Sequence, residues 1–380
     1  MAHKLTKTHY HASRFFDGQS IQENLRLTIE NGLITSIDKH PQPTDFPLEG
    51  LVTAGFIDTQ VNGGGGVMFN QRPSLETLRT MRKAHSLFGT TAMLPTLITD
   101  NLDCMQSAAN AIAQAIKGQE AGILGVHFEG PHLSMPKRGI HSSEQIRPLS
   151  EDEMAIFCRQ DLGQVVVTVA PENVSQSQII ELVNCGVIVS LGHSNADIDT
   201  VLKAIDAGAT GFTHLFNAMS GLTARNPGMV AAALQDERVT CGLIADGLHV
   251  HPYNCRLAFQ CKGWQKLMLV TDAMAHVGAE VETLPWLDTQ IIRNGNKLTL
   301  ADGTLAGSAL DMSSAVRNLH QNMGVPLESA LKMASLTPAK FLACSNRGKL
   351  AVGMQADFVL LDEQLCTLGC WIAGIQVTHH

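Results

Sequence analysis

The chain has 380 residues, 44% hydrophobic and 16% charged, enough to bury a large core without broad disorder. Its formal charge of −8 leaves no basic excess to hold nucleic acid or an anionic membrane surface, and no apolar run reaches the length of a membrane span. The first ten residues, M-A-H-K-L-T-K-T-H-Y, lack the apolar stretch of a secretory leader, so a cytoplasmic protein is expected.

The first fifty residues read as short strands and turns. Arg26 to Asp38 alternates apolar and polar positions about Asn31-Gly32, a hairpin signal, and a proline-rich connection follows at 41–47. The last thirty-five residues are similar in kind: Ala356–Asp362 reads as a strand, and Trp371–Val377 carries a glycine turn. Neither end could bury much surface alone, so residues 1–52 and 345–380 are expected to pair into one small β-sandwich domain.

Residues 53–344 differ. Eight β-rich runs are spaced along them: Val52–Gln60, Thr91–Thr96, Ile123–Glu129, Val165–Ala170, Val187–His193, Thr210–His214, Cys241–Asp246 and Leu267–Asp272. Helical periodicity lies between most of them, at Ser74–Phe88, Asn101–Lys117, Glu151–Gln160, Gln176–Cys185 and Asp197–Ala207. Alternation of this kind predicts an α/β fold, a (β/α)8 barrel, with a doubly wound open sheet as the rival. An N-G-N turn within 283–303 predicts a hairpin inserted after the eighth strand, and two helices should follow, Ser308–Met323 and Leu327–Leu342. Nine cysteines form no C-x-x-C pair, so most or all are expected to be reduced, buried thiols rather than a zinc ribbon or a disulfide framework.

In a barrel the carboxyl ends of the strands share one mouth, where active sites sit. Polar groups gather at those ends: Glu129 on the third strand, His193 on the fifth, His214 on the sixth and Asp272 on the eighth. Acids and imidazoles are costly to bury unless they serve a site. Three ligands with an open position are the pattern of a catalytic metal, which makes Glu129, His193 and His214 candidate ligands and Asp272 a candidate base. A lone strand-end histidine is more often structural; four such positions in strand order favour the site. His127 shares a strand face with Glu129 and is left unassigned, and of His249 and His251 only one should face the pocket. His3, His9, His11, His379 and His380 read as solvated. The run Gly63–Gly66 permits close backbone approach or makes a mobile turn. Arg225, in a loop after the sixth strand, offers donors for an anionic group such as phosphate, near Asn217 and His249.

These motifs taken in order resemble the N-acetylglucosamine-6-phosphate deacetylase family of the amidohydrolase superfamily. The matching pieces include A-G-F-I-D-T-Q-V-N-G-G-G-G, P-T-L-I-T, H-F-E-G-P-H-L, K-R-G-I-H, G-H-S-N-A, T-H-L-F-N-A-M, A-D-G-L-H-V, L-V-T-D-A-M and G-T-L-A-G-S, between residues 54 and 308. The resemblance implies a metal on Glu129, His193 and His214 and Asp272 as general base and acid. It also implies a sugar phosphate lying against Gln60, Ile140, His141, Asn217, Ala218, Arg225, Asp246, Gly247, Leu248, His249, Leu305, Ala306 and Gly307. Where the superfamily carries H-x-H on the first strand, this chain has Gln60-Val61-Asn62, which implies one divalent ion per subunit. Zinc comes first, with iron, cobalt or manganese as alternatives. The implied reaction is deacetylation of N-acetylglucosamine 6-phosphate, in a homodimer whose Arg225 loop crosses the interface. The alternatives are the same reaction on the galactosamine epimer and an inactive sugar-phosphate sensor.

Overall fold

The structure, a computed structural model, describes residues 7–377, so His3, His379 and His380 lie outside the described residues. Eight strands form one parallel sheet in sequence order: Phe56–Val61, Thr90–Ile98, Gly125–Glu129, Gln164–Val169, Ile188–Leu191, Gly211–Phe212, Thr240–Leu243 and Leu267–Leu269. The sheet closes on itself through a parallel bridge between Val61 and Ala273, and the amide of Asp272 donates to the Gln60 carbonyl at 3.0 Å. This is the (β/α)8 barrel expected from the alternation. Runs such as Val165–Val169 are buried on both faces, as strands covered by helices outside and packed side chains inside must be.

Helices Leu75–Ser86, Leu102–Lys117, Glu151–Phe157, Gln176–Asn184 and Ile198–Asp206 fall where the periodicity placed them. Each starts on a side chain that accepts from an otherwise unpaired amide: Ser74, Asn101, Ser150, Ser175 and Asp197. Two further helices, Gly228–Gln235 and Pro252–Lys262, follow strands six and seven. The first is buried on nearly every side and so carries no amphipathic period.

The chain ends make one continuous seven-stranded sheet rather than two separate ones. Phe46–Ala54 lies at its centre, parallel to Thr8–Phe16 and antiparallel to Phe358–Leu361. The edge strand Leu33–Asp38 curls back until the Ile34 amide donates to the Met354 carbonyl at 2.9 Å. One sheet thus folds over its own core of Phe15, Leu27, Ile34, Phe358 and Trp371. The predicted run Val52–Gln60 is split at Gly55: residues up to Ala54 serve this terminal sheet, and Phe56 starts the barrel. A Cβ at Gly55 would fall 2.2 Å from the Thr91 side chain, so the chain can cross between the sheets only without one.

The predicted hairpin after the eighth strand gains a third strand, as Thr283–Trp286, Thr289–Asn294 and Lys297–Thr299 form an antiparallel sheet. The helix expected over 308–323 is α-helical at Met312–Arg317 and continues as a π-helical turn at Asn318–Asn322. The thiol expectation needs one correction. Cys158 and Cys185, at the ends of two neighbouring helices, form a disulfide, because both helix ends bring their cysteines to one spot on the barrel's outer layer. Cys261 and Cys366 are exposed. Among the described residues no helix is long and apolar enough to cross a membrane.

Candidate metal centre and active-site cleft

Glu129 ends the third strand, while His193, His214 and Asp272 lie two or three residues past the fifth, sixth and eighth. His193, His214 and Asp272 all have positive φ, at 47°, 32° and 53°. Phe216 and Ala218 join them at 79° and 49°. Non-glycine residues avoid this region, and its concentration at one mouth marks a site whose geometry the surrounding fold imposes. Glu129, His193 and His214 are buried, and Asp272 is half-buried at the mouth.

Three ligand atoms converge. The Nε2 atoms of His193 and His214 stand 2.9 Å apart and lie 3.2 and 3.0 Å from Glu129 Oε1. His193 Nδ1–H donates to the Lys137 carbonyl at 2.8 Å, which leaves the Nε2 lone pair aimed inward. Burial alone would push the Glu129 carboxyl up, but the imidazoles of His193 and His214 beside it outweigh burial and hold the carboxyl well below its ordinary value. Two imidazole nitrogens and a carboxylate oxygen, all within 4.8 Å of one another and buried, fit a divalent ion that takes nitrogen and oxygen ligands.

Gln60 and Asn62 organise the acid opposite. Gln60 Nε2 donates to Glu129 Oε2 at 3.1 Å and to Asp272 Oδ1 at 3.2 Å, and Asn62 Nδ2 donates to the same Asp272 oxygen at 2.7 Å. The other Asp272 carboxyl oxygen has no hydrogen bond of its own among these contacts. Burial, reinforced by the Glu129 charge, raises the Asp272 pKa. Behind it, the buried Asp58 accepts from Thr271 Oγ1 at 2.5 Å, and burial pushes its carboxyl to about 7. Gly63–Gly66 forms a packed turn here: Gly65 and Gly66 donate to Val277 and Ala275, clamping the loop that carries Asp272, and a Cβ at Gly63 would come within 2.8 Å of the Ala275 amide.

The cleft over these groups measures about 250 Å³, and Ile140, His141, Asn217, Ala218, His249, Leu305 and Gly307 line it as expected. His249 is turned into it by Asp246, whose Oδ2 is 2.6 Å from His249 Nδ1 while its Oδ1 caps the Leu248 and His249 amides at 2.8 Å. Asp246, Gly247 and Leu248 therefore build the turn rather than the wall, and Ala306 is fully buried behind Leu305. Arg225 does not line the cleft. It lies on the exposed loop 221–226, beside a separate groove with Lys137, Asn195 and Asp197.

The two undecided histidines resolve. His127 faces the barrel interior, with Nδ1 3.0 Å from the Thr59 carbonyl and Nε2 2.7 Å from Thr168 Oγ1, and burial pushes its pKa down to about 4. His251 caps the helix Pro252–Lys262 and stacks on Tyr253 at the surface. His9 pairs with Thr28 and His11 with Asn24, away from the site. Cleft residues that the sequence reading passed over are Asn62, Ile98, Gly139, Ile244 and Thr304. Asn62 could have been found, because it stands two residues after Gln60 and so shares its strand face.

A sequence model of the amidohydrolase family matches residues 51–377. The N-acetylgalactosamine-6-phosphate deacetylase of Shewanella sp. (strain ANA-3) is 54% identical over 325 residues, 86% of this chain and 82% of that protein. The N-acetylglucosamine-6-phosphate deacetylase of Haemophilus influenzae is 36% identical over 329 residues, 85% of each chain. The crystal structure of N-acetylglucosamine-6-phosphate deacetylase from Pasteurella multocida superposes with a TM-score of 0.94 at 35% identity, covering 98% of this chain and 99% of that one.

Proposed function

The chain belongs to the amidohydrolase family, and from that premise we propose that it hydrolyses the acetamide of an N-acetylhexosamine 6-phosphate, giving acetate and the amino sugar 6-phosphate. The observation that carries the reading is the convergence of Glu129, His193 and His214 across one cleft from Asp272, whose pKa is raised. The similarity to deacetylases of both epimers supports the substrate class.

Glu129, His193 and His214 would hold one divalent ion, zinc first, which when bound polarises a carbonyl and makes a water acidic. The residues of the chain supply the rest. Asn62 and Gln60 fix one oxygen of Asp272, so the other takes a proton from the attacking water. As the C–N bond breaks, Asp272 returns that proton to the amine nitrogen. His141 donates a hydrogen bond to the carbonyl oxygen as charge develops there. His249, anchored through Nδ1 by Asp246, turns its Nε2 towards the phosphate. The division into a barrel of residues 53–344 and a β domain of 1–52 and 345–380 belongs to this reading. So do a cytoplasmic location and a homodimer in which Arg225, exposed and outside its own cleft, reaches a neighbour's phosphate site.

The glucosamine epimer is the first reading. The galactosamine epimer has a specific observation in its favour, the 54% identity to the Shewanella protein. Acetate release measured on both sugar phosphates, with and without a chelator, tests the proposal. Chelator-sensitive release from at least one is expected, and its higher kcat/KM assigns the epimer. No release from either sugar by metal-loaded protein would contradict the proposal.

A further inference from the structure

Thr99 ends the second barrel strand's P-T-L-I-T motif, and no step of the chemistry above uses it. Its side chain is buried between two cleft residues. Thr99 Oγ1 stands 2.8 Å from His141 Nδ1 and 3.3 Å from the Glu129 carbonyl, and the Thr99 backbone N–H points at the same His141 Nδ1 from 3.3 Å. The backbone N–H decides the direction. An amide cannot aim at a protonated ring nitrogen, so Nδ1 must be the acceptor, and the hydroxyl, with its shorter contact, donates there too. A neutral imidazole with Nδ1 as acceptor carries its proton on Nε2. Nε2 has no hydrogen-bond partner among the described residues, and His141 lines the cleft with its ring centroid 4.4 Å from that of His193.

We propose that Thr99 is a positioning residue that fixes the tautomer and tilt of His141, so that an Nε2–H donor meets the carbonyl oxygen of the substrate. In the other tautomer Nε2 would present a lone pair to an oxygen gaining negative charge, and the contact would turn repulsive. With its one proton given to Nδ1, the hydroxyl keeps the Glu129 carbonyl, 3.3 Å away, as a neighbour and not as a second acceptor. The assignment of a role in turnover rests on the deacetylase reading; the tautomer itself does not.

The experiment therefore has two arms on zinc-loaded protein. In the first, ¹⁵N-histidine spectra of the wild type, with His141 identified by its loss in His141→Gln, are expected to show an Nε2–H tautomer. In Thr99→Val, which keeps the branch and the longer amide contact but loses the hydroxyl, part of the His141 proton should redistribute towards Nδ1. In the second, Thr99→Val should lower kcat by about ten- to a hundredfold with KM changed far less, as for lost partners that orient a functional histidine, and Thr99→Ser should recover most of it. An Nδ1–H signal for His141 in the wild type overturns the proposal even if Thr99→Val fails to fold. So does a Thr99→Val enzyme with unchanged kcat, or one in which Thr99→Ser is as impaired as Val. If wild-type protein releases no acetate, the deacetylase reading fails and the spectrum alone decides the tautomer.

Discussion

The interior of the barrel and its mouth both bury histidines, a few ångströms apart along the same strands, and handle them in opposite ways. Inside, His127 sits in regular strand geometry with both nitrogens engaged, at the end of a hydroxyl chain through Thr168, Thr213 and Ser190 with links of 2.6–2.7 Å. Nothing there is left over for a ligand. At the mouth, His193 and His214 sit in left-handed backbone, and their Nε2 atoms have only each other and one carboxylate oxygen. The difference is one of satisfaction: the interior polar groups complete one another, while those at the mouth share a focus that a cation would complete.

The largest effect should come from removing the charge at that focus. Glu129→Gln is expected to lose bound metal and more than about a thousandfold in kcat, since several kcal/mol of charge stabilisation disappear with the ion. Elemental analysis alongside turnover checks both. A variant that keeps its metal and its rate would erase the contrast between mouth and interior. Asp272→Asn comes next. The amide keeps the shape of the carboxylate and can accept from Asn62 but cannot take the water's proton, so kcat should fall by about a hundredfold or more with metal content intact. Metal lost from this variant would instead make Asp272 a ligand. The smallest effect on chemistry belongs to His127→Leu. It leaves the Thr59 carbonyl and the Thr168 hydroxyl short of a partner, so about 1–3 kcal/mol of stability per stranded group should go, read by urea unfolding, while metal content stays at the wild-type level. If His127→Leu empties the metal site, the interior is not the self-contained network described above.

The same contrast separates what was legible in the sequence from what was not. Glu129, His193, His214 and Asp272 could be picked out because each ends a β-branched run, where an acid or imidazole has no structural reason to be. His127 could not be assigned from sequence, since its partners Thr59 and Thr168 come from strands whose register only the closed barrel sets. Helices with a polar face were found; Gly228–Gln235, buried nearly all round, gave no periodic signal. The disulfide escaped because Cys158 and Cys185 lie 27 positions apart, across loop, strand and helix, and spacing says nothing across such a distance. Thr99 went unmarked because its contribution is a contact to a residue 42 positions away.

The central claim is that the groups at the mouth are completed by one ion, and the direct measurement is equilibrium dialysis of chelator-stripped protein against zinc. One tightly held equivalent per chain is predicted for the wild type, with none retained by Glu129→Gln. Two tight equivalents per wild-type chain, or one that Glu129→Gln holds equally well, would contradict it.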